Sequence, residues 1–256
     1  MTSDSIDIIN AFALLTNFVL LPALSYGSQL ALGALAVTLV YSVLRFSNFA
    51  QGDSMAFGTM IVILLTGFMI SRGWTISGVP TALLVIPIAI VFTSMYLLTM
   101  DRLIYRHYRK IKAKSITIVM SSIGVMFVTG GIVRFVLGAT AQKFEDGERF
   151  IFSVREFKAY TGLEQGIAFK TSQFLTITIA FLLVAFVFYF LQKTKTGKAM
   201  RAYSDNKELA LLSGIDPDKM VQITWLLVAA LTTIAGALYG LDKGFAPQQY
   251  HLLLLP

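Results

Sequence analysis

VPTALLVIPIAIVFTSMYLLT, residues Val79–Thr99, runs for 21 residues without a charged side chain. A helix rises about 1.5 Å per residue, so a segment of this length covers the roughly 30 Å hydrocarbon core of a bilayer. The run is continuous and lacks the period-two alternation of a transmembrane barrel strand, so a helix must satisfy its backbone hydrogen bonds. It stops at MDRLIYRHYRKIKAK, where Arg102, Arg106, Arg109, Lys110, Lys112 and Lys114 stand against one acid, Asp101. A Lys/Arg surplus in a short connection marks the cytoplasmic side of a membrane protein, which places the loop at 100–115 inside.

Working outward, similar apolar runs occupy Gly27–Leu44, Met55–Ser71, Ile116–Gly138, Phe174–Leu191 and Met220–Leu241. Each is bounded by polar residues or by Gly/Pro punctuation. The stretch Ala11–Ser25 is read as either a short first helix or an interfacial or re-entrant lead-in, because Pro22, Ser25 and Gly27 are expected to break or kink a helix there. The fold class is therefore all-α: a polytopic membrane bundle of six to seven spans, forming one transmembrane domain over residues 1–256. Lys193, Lys195, Lys198, Arg201, Lys207 and Lys219 place the segment 192–219 on the same side as the first basic loop, and two spans between them agree in parity. The connection 139–173 balances five bases against five acids and is external by the same count. The final apolar residues, His251–Pro256, read as neither a span nor an ordinary tail.

Composition narrows the function. The chain is 56% hydrophobic and 14% charged, with a mean hydropathy of +0.72, outside the range of a soluble domain. A net charge of +7 raises the question of nucleic acid, but the bases gather in two inter-span loops where topology explains them, so no nucleic-acid partner is expected. Cysteine is absent, which removes disulfides, thiolate metal sites and a cysteine nucleophile. The first ten residues carry Asp4 and Asp7 and no base, unlike the n-region of a cleaved signal, so the first apolar stretch is expected to be retained.

No zinc-protease, serine-hydrolase or nucleotide-binding motif is present; Thr196-Gly197-Lys198-Ala199 lacks the first glycine and the magnesium-binding hydroxyl of a Walker A loop. No catalytic residue, cofactor or metal is expected. Arg134 is read as the one formal charge well inside a span, either snorkelling to the nearby interface or facing a solute carboxylate from within the bundle. A carrier coupled to protons or sodium would need more intramembrane chemistry than that. Small residues are frequent, with Gly236 and Gly240 in a G-x-x-x-G and Gly124, Gly130, Gly131 and Gly138 on an earlier span, as close helix packing in lipid requires.

The connection KTKTGKAMRAYSDNKELALLSGIDPDK, Lys193–Lys219, carries the functional argument. Asn206 can cap a short helix, Glu208 suits its first turn, Ala210, Leu211 and Leu212 give it an apolar side, and Gly214 ends it before Asp216-Pro217 turns the chain into the last span. Taken alone, such a helix fits an amphipathic linker on the lipid surface. Glu208-x-Ala210-x-x-x-Gly214 resembles the E-A-A-x-x-x-G coupling loop of bacterial ATP-binding-cassette importer permeases. The wider string Thr196–Ala202, with Gly214-Ile215, is similar to the branched-chain amino-acid (Liv-type) permeases. So are Ser47-Asn48-Phe49-Ala50-Gln51-Gly52-Asp53, near that family's N-F-A-H-G-[ED], and Ala235–Gly240. Gln51 stands where the family usually has histidine, and Leu209 replaces the second residue of E-A-A. Family members usually continue through further spans, so the chain is expected to be C-terminally truncated or a divergent paralogue.

The resemblance implies an inner-membrane permease subunit of a bacterial importer for branched-chain or related amino acids. Urea or a short amide, or an ATP-independent channel or facilitator, are the alternatives. It implies a second permease subunit, two ATP-binding subunits and an extracytoplasmic solute-binding protein as partners, besides membrane lipid. Asn206, Glu208, Ala210, Leu211 and Gly214 are the implied ATPase-coupling residues. Asn48, Gln51, Gly52, Asp53 and Arg134 are candidates for the translocation path, and for Asn48, Gln51 and Asp53 the alternative is plain loop hydration.

Overall fold

The computed structural model describes residues 10–74, 80–138, 140–142, 144, 150–152 and 168–253. Six helices within it are long and apolar enough to cross a membrane: α1 (Asn10–Leu44), α2 (Gln51–Ser71), α3 (Thr81–Lys110), α4 (Ser115–Leu137), α5 (Thr171–Lys193) and, last in the chain, α8 (Pro217–Lys243). Between α5 and α8 lie two short helices, α6 (Lys195–Asp205) and α7 (Lys207–Leu212). A final short helix, α9 (Pro247–Leu253), follows α8. A minimal antiparallel pair, β1 (Phe150–Phe152) and β2 (Phe169–Lys170), lies in the connection between α4 and α5. The protein is a multi-pass, all-α membrane bundle.

Two expectations are corrected. The first apolar region is one continuous helix rather than two pieces, so it supplies one of the six membrane-spanning helices among the described residues. Thr16–Leu20 forms a π-helical turn, and α-helical geometry resumes at Leu21 with Pro22 in its first positions. Proline clashes with the carbonyl four residues earlier in a regular α-helix, and the wider π turn takes up that clash without a break. The basic loop after Thr99 is also largely helical. A second π turn, Asp101–Tyr105, carries α3 on to Lys110 and turns both Asp101 and Tyr105 into the interior.

The bundle is organised around α8, which packs against α1, α2 and α3, while α4 lies on α2 and α5 on the outside of α1. Sixteen consecutive or near-consecutive positions of α8 between Met220 and Gly240 are buried. Close approach explains its small residues. A Cβ added at Gly236 would overlap the Thr59 hydroxyl and lie 2.8 Å from the backbone carbonyl oxygen of Met55 on α2, whereas one at Gly124 would meet nothing within 4 Å. Several hydroxyls buried in the bundle turn back on their own helices. Thr59 donates to Met55 O at 2.9 Å, Thr93 to Ala89 O at 2.9 Å and Thr232 to Val228 O at 2.7 Å, so each hydroxyl proton has an acceptor on its own helix. The outer surface carries Phe127, Phe135, Phe181 and Phe188, all largely exposed, as a lipid-facing belt.

After α8 the chain folds back on the bundle. Gln142 and Phe245 exchange backbone hydrogen bonds at 2.7 Å in both directions, and α9 returns against α2, where the fully buried Tyr250 donates to Gly236 O at 3.0 Å. Gly236 thus meets α2 on one side and α9 on the other. Gly236→Ala is expected to destabilise the protein by about 1–3 kcal/mol through overpacking. Gly124→Ala should be neutral or slightly stabilising; thermal melts of the two purified variants in one detergent check the difference.

Candidate functional site

The residues Ser47–Asp53 lead from α1 into α2; Ser47 is exposed, but the polar side chains of Asn48, Gln51 and Asp53 are inside the protein rather than hydrated in a loop. Asn48 is 8% exposed, Gln51 1% and Asp53 4%. The Asn48 carbonyl oxygen accepts from the backbone N–H of Ala50 at 3.2 Å and from the Tyr105 hydroxyl at 3.1 Å, while its amide donates to Gln51 Oε1 at 3.3 Å. The backbone N–H of Phe49 donates to Ser122 Oγ on α4 at 3.1 Å. Gln51, Gly52 and Asp53 form the first turn of α2, where the helix dipole favours a carboxylate. Asp53 faces α4 at Gly130, where an added Cβ would stand 2.8 Å from Asp53 Oδ1. The glycine makes room for the carboxylate. Next to it the Tyr96 hydroxyl and Thr129 Oγ1 are 2.5 Å apart, and the Tyr96 ring stacks on Phe57.

One turn further along α3 lies a buried ion pair. Asp101, 5% exposed, accepts from Arg109 Nη1 at 2.6 Å and Nη2 at 2.9 Å, and from the indole N–H of Trp225 on α8 at 2.8 Å. The Trp225 ring stacks on Tyr105, whose ring also packs on Phe46. Asn48, Tyr105, Trp225, Asp101 and Arg109 therefore form one continuous polar and aromatic network joining the start of α2, the π turn of α3 and the first third of α8. Asp53 and Asp101, which the sequence sets at the ends of spans, are both buried. Arg134 goes the other way. It is exposed one turn before the end of α4, at the opposite end from Ser115, and is not brought to this network.

The connection from α5 to α8 folds as its capping residues direct. Thr194 Oγ1 accepts from Gly197 N at 3.0 Å at the head of α6. Asn206 Oδ1 accepts from the N–H groups of Glu208 and Leu209, at 3.0 and 3.1 Å, at the head of α7, and Asp216 caps α8 with Pro217 in its first turn. Gly214 has φ +79°, a left-handed conformation, with open space around it; the backbone, not crowding, requires glycine. On α7, Ala210 is buried, while Leu209, Leu211 and Leu212 are 60%, 51% and 86% exposed. Three leucines thus project from a six-residue helix whose other side rests on the protein. The connection is tied to α1: Ser204 Oγ donates to Ser42 O at 2.9 Å, and the Arg45 guanidinium donates to Ser204 O. It is tied to α3 through α8, where Arg106 pairs with Asp218 at 2.5 Å.

Of the residues singled out from the sequence, the structure brings Asn48, Gln51, Gly52 and Asp53 into one buried cluster and sets Asn206, Glu208, Ala210, Leu211 and Gly214 on one capped turn. Asp101, Tyr105, Arg109, Ser122 and Trp225 were not foreseen. Their one sequence signal is a lone acid at the head of six bases.

The family described as "Branched-chain amino acid transport system / permease component" matches residues 19–254. The high-affinity branched-chain amino acid transport system permease protein LivH of Salmonella typhimurium is 26% identical over 221 residues, covering 84% of this chain and 67% of that protein. BraD, the corresponding permease protein of Pseudomonas aeruginosa, is 25% identical over 228 residues, covering 88% and 71%. A probable LivH of Methanocaldococcus jannaschii is 28% identical over 236 residues, covering 91% and 69%. No solved structure matches the chain. With a match across nearly its whole length, on six membrane-spanning helices and a capped connecting turn where the family motif falls, the chain belongs to the branched-chain amino acid transport permease family.

Proposed function

We propose that this chain is the membrane-spanning permease subunit of an ATP-driven importer of branched-chain amino acids in a bacterial inner membrane, with the segments 100–115 and 192–219 in the cytoplasm. Two ATP-binding subunits, a second similar permease and an extracytoplasmic solute-binding protein complete the assembly. The relatives' names support the solute class and the transport role. The observation that carries the coupling is α7: a rigidly capped turn with its small residue, Ala210, inward and three leucines outward. Exposed apolar side chains at a basic membrane face have a function when a partner's groove covers them.

In this reading, closure of the ATP-binding subunits displaces α7. The displacement reaches α1 through Ser204 and Arg45, and α3 and α8 through Asp218, Arg106 and the Asp101 network. Those contacts differ between two arrangements of the bundle, which is what allows ATP to bias the equilibrium between them. Asn48, Gln51, Gly52 and Asp53 lie where that motion arrives and form the inner end of the solute path. Arg134 anchors α4 at the opposite interface.

The chain has no cysteine, so Leu212→Cys gives a unique attachment point. A short crosslinker there is expected to capture the ATP-binding subunit in membranes, and Gly214→Arg or Glu208→Lys to abolish ATP-dependent uptake while leaving insertion intact. Capture of lipid alone, or uptake that survives ATP depletion, counts against the coupling. Asp101→Ala leaves Arg109 and the Trp225 N–H buried without their acceptor and should cost about 3–5 kcal/mol of stability. Asp218→Ala removes a pair whose side chains are 37% and 47% exposed and should cost under about 1 kcal/mol. Thermal melts in detergent rank the two.

A further inference from the structure

Between α7 and the ends of α1, α3 and α8 lies a cavity of about 490 Å³ whose wall contains six cationic side chains and, as its one carboxylate, Asp218. The bases come from three separate parts of the chain: Arg45 from the end of α1, Arg106, Arg109, Lys110 and Lys112 from α3 and the turn after it, and Lys207 from α7. Arg106 is matched by Asp218, and Arg109 by Asp101. Among the described residues no other ion pair neutralises this wall, so Arg45, Lys110, Lys112 and Lys207 leave it a charge of about +4.

Topology alone does not explain that arrangement. A positive-inside bias needs Lys and Arg near the ends of the spans and is indifferent to whether they converge. Here residues from distant parts of the sequence turn toward one concavity. Lys207 is half-buried beside the Tyr203 ring, 5.5 Å from its centroid, and its ammonium is held below the usual lysine range, first by burial and then by Arg45 and Arg109. Like charges are gathered around one concavity, which is unfavourable unless an anion enters. The volume falls in the range of small-molecule sites, roughly 300–1,000 Å³, far larger than a simple counter-ion needs. Tyr108, Tyr203 and Ile118 add apolar wall beside the charges.

We propose that this cavity binds an organic phosphate, its phosphate group held by Arg45, Lys112 and Lys207 and its organic part lying against Tyr108, Tyr203 and Ile118. Arginine and lysine bind phosphate oxygens by charge-assisted hydrogen bonds. The source is either a soluble organic phosphate or the headgroup of an anionic lipid. Because Lys207 and Leu211 of α7 line the same cavity as Arg45 and Val221, an occupant ties the α7 turn to the bundle. Binding does not depend on the importer reading.

The test is a thermal melt of the purified full chain at constant ionic strength. Saturating glycerol 3-phosphate, or phosphatidylglycerol in place of phosphatidylcholine in lipid nanodiscs, is expected to raise the melting temperature by about 5 °C. Lys112→Gln/Lys207→Gln should lose the rise. Lys207→Glu, which supplies an internal carboxylate, should melt at or above the wild type and ignore both probes, so loss of response is separable from misfolding. A response to glycerol 3-phosphate identifies a soluble source, and a response to phosphatidylglycerol alone a lipid headgroup. The proposal is overturned if neither probe exceeds chloride or if wild type and double variant respond equally. It is overturned too if only an added ATP-binding subunit shields Lys207 from amine-reactive labelling, since the cavity would then receive an acidic side chain of that partner.

Discussion

The Asp101 carboxylate holds the basic end of this bundle together. It is buried where an isolated charge would be strongly disfavoured, and it is tolerated because the Arg109 guanidinium binds it through both Nη atoms and the Trp225 indole donates a third hydrogen bond. The two arms do different things. Arg109 closes α3 onto itself across the π turn, and Trp225 joins that turn to α8. Since Tyr105 leaves the same π turn to stack on Trp225 and to donate to Asn48, the geometry of a single widened turn sets the position of three helices. A regular α-helix would rotate the residues beyond the turn and separate Asp101 from one of its donors.

The rest of the bundle depends on a different constraint, the closeness with which α8 can be surrounded. Lipid supplies no hydrophobic drive for helices to associate, so packing distance and hydrogen bonding decide. Gly236 allows the α2 backbone to approach and also offers its own carbonyl to Tyr250. At Gly58 the same contact appears from the other side, with an added Cβ 2.8 Å from Thr233 Oγ1. Two small residues on opposite helices thus interleave with two threonines, and the threonine hydroxyls are buried at that crossing. A large side chain at either glycine would force apart the helices whose basic ends the Asp101 network fastens.

How much was legible follows from the range of each signal. The six spans were readable because hydrophobic length is a local property, and the α7 turn was readable because Asn206 and Gly214 act on their own backbone within a few residues. Pro22 misled because the π turn that accommodates it leaves no mark in composition. Asp53 and Asp101 were assigned to loops because they stand beside polar residues at the ends of apolar runs. What buries Asp101 is an indole 124 positions away, and what shelters Asp53 is a glycine on α4. Neither partner announces itself in one dimension. The short α9 was missed for the converse reason, since its seven residues are too few for a span and its burial comes wholly from tertiary contact.

The same distinction separates two uses of positive charge in this protein. Charge that sets orientation works through the membrane's sidedness and requires only that bases outnumber acids near the span ends. Placed singly on exposed loops, such bases repel one another weakly, because water and salt screen them. Around the cavity beneath α7 that relief is reduced at Lys207, which is half-buried and feels the charges of Arg45 and Arg109, while the exposed Arg45, at the left-handed end of α1 with φ 62°, and the exposed Lys112, after α3 with φ 50°, stand on the same wall. Every helix that borders the cavity ends or begins there, so the repulsion acts across the joints between helices rather than along any one of them. An anion in that space would therefore act as a clamp, stabilising the arrangement in which α7, α1 and α3 meet over any arrangement in which they part.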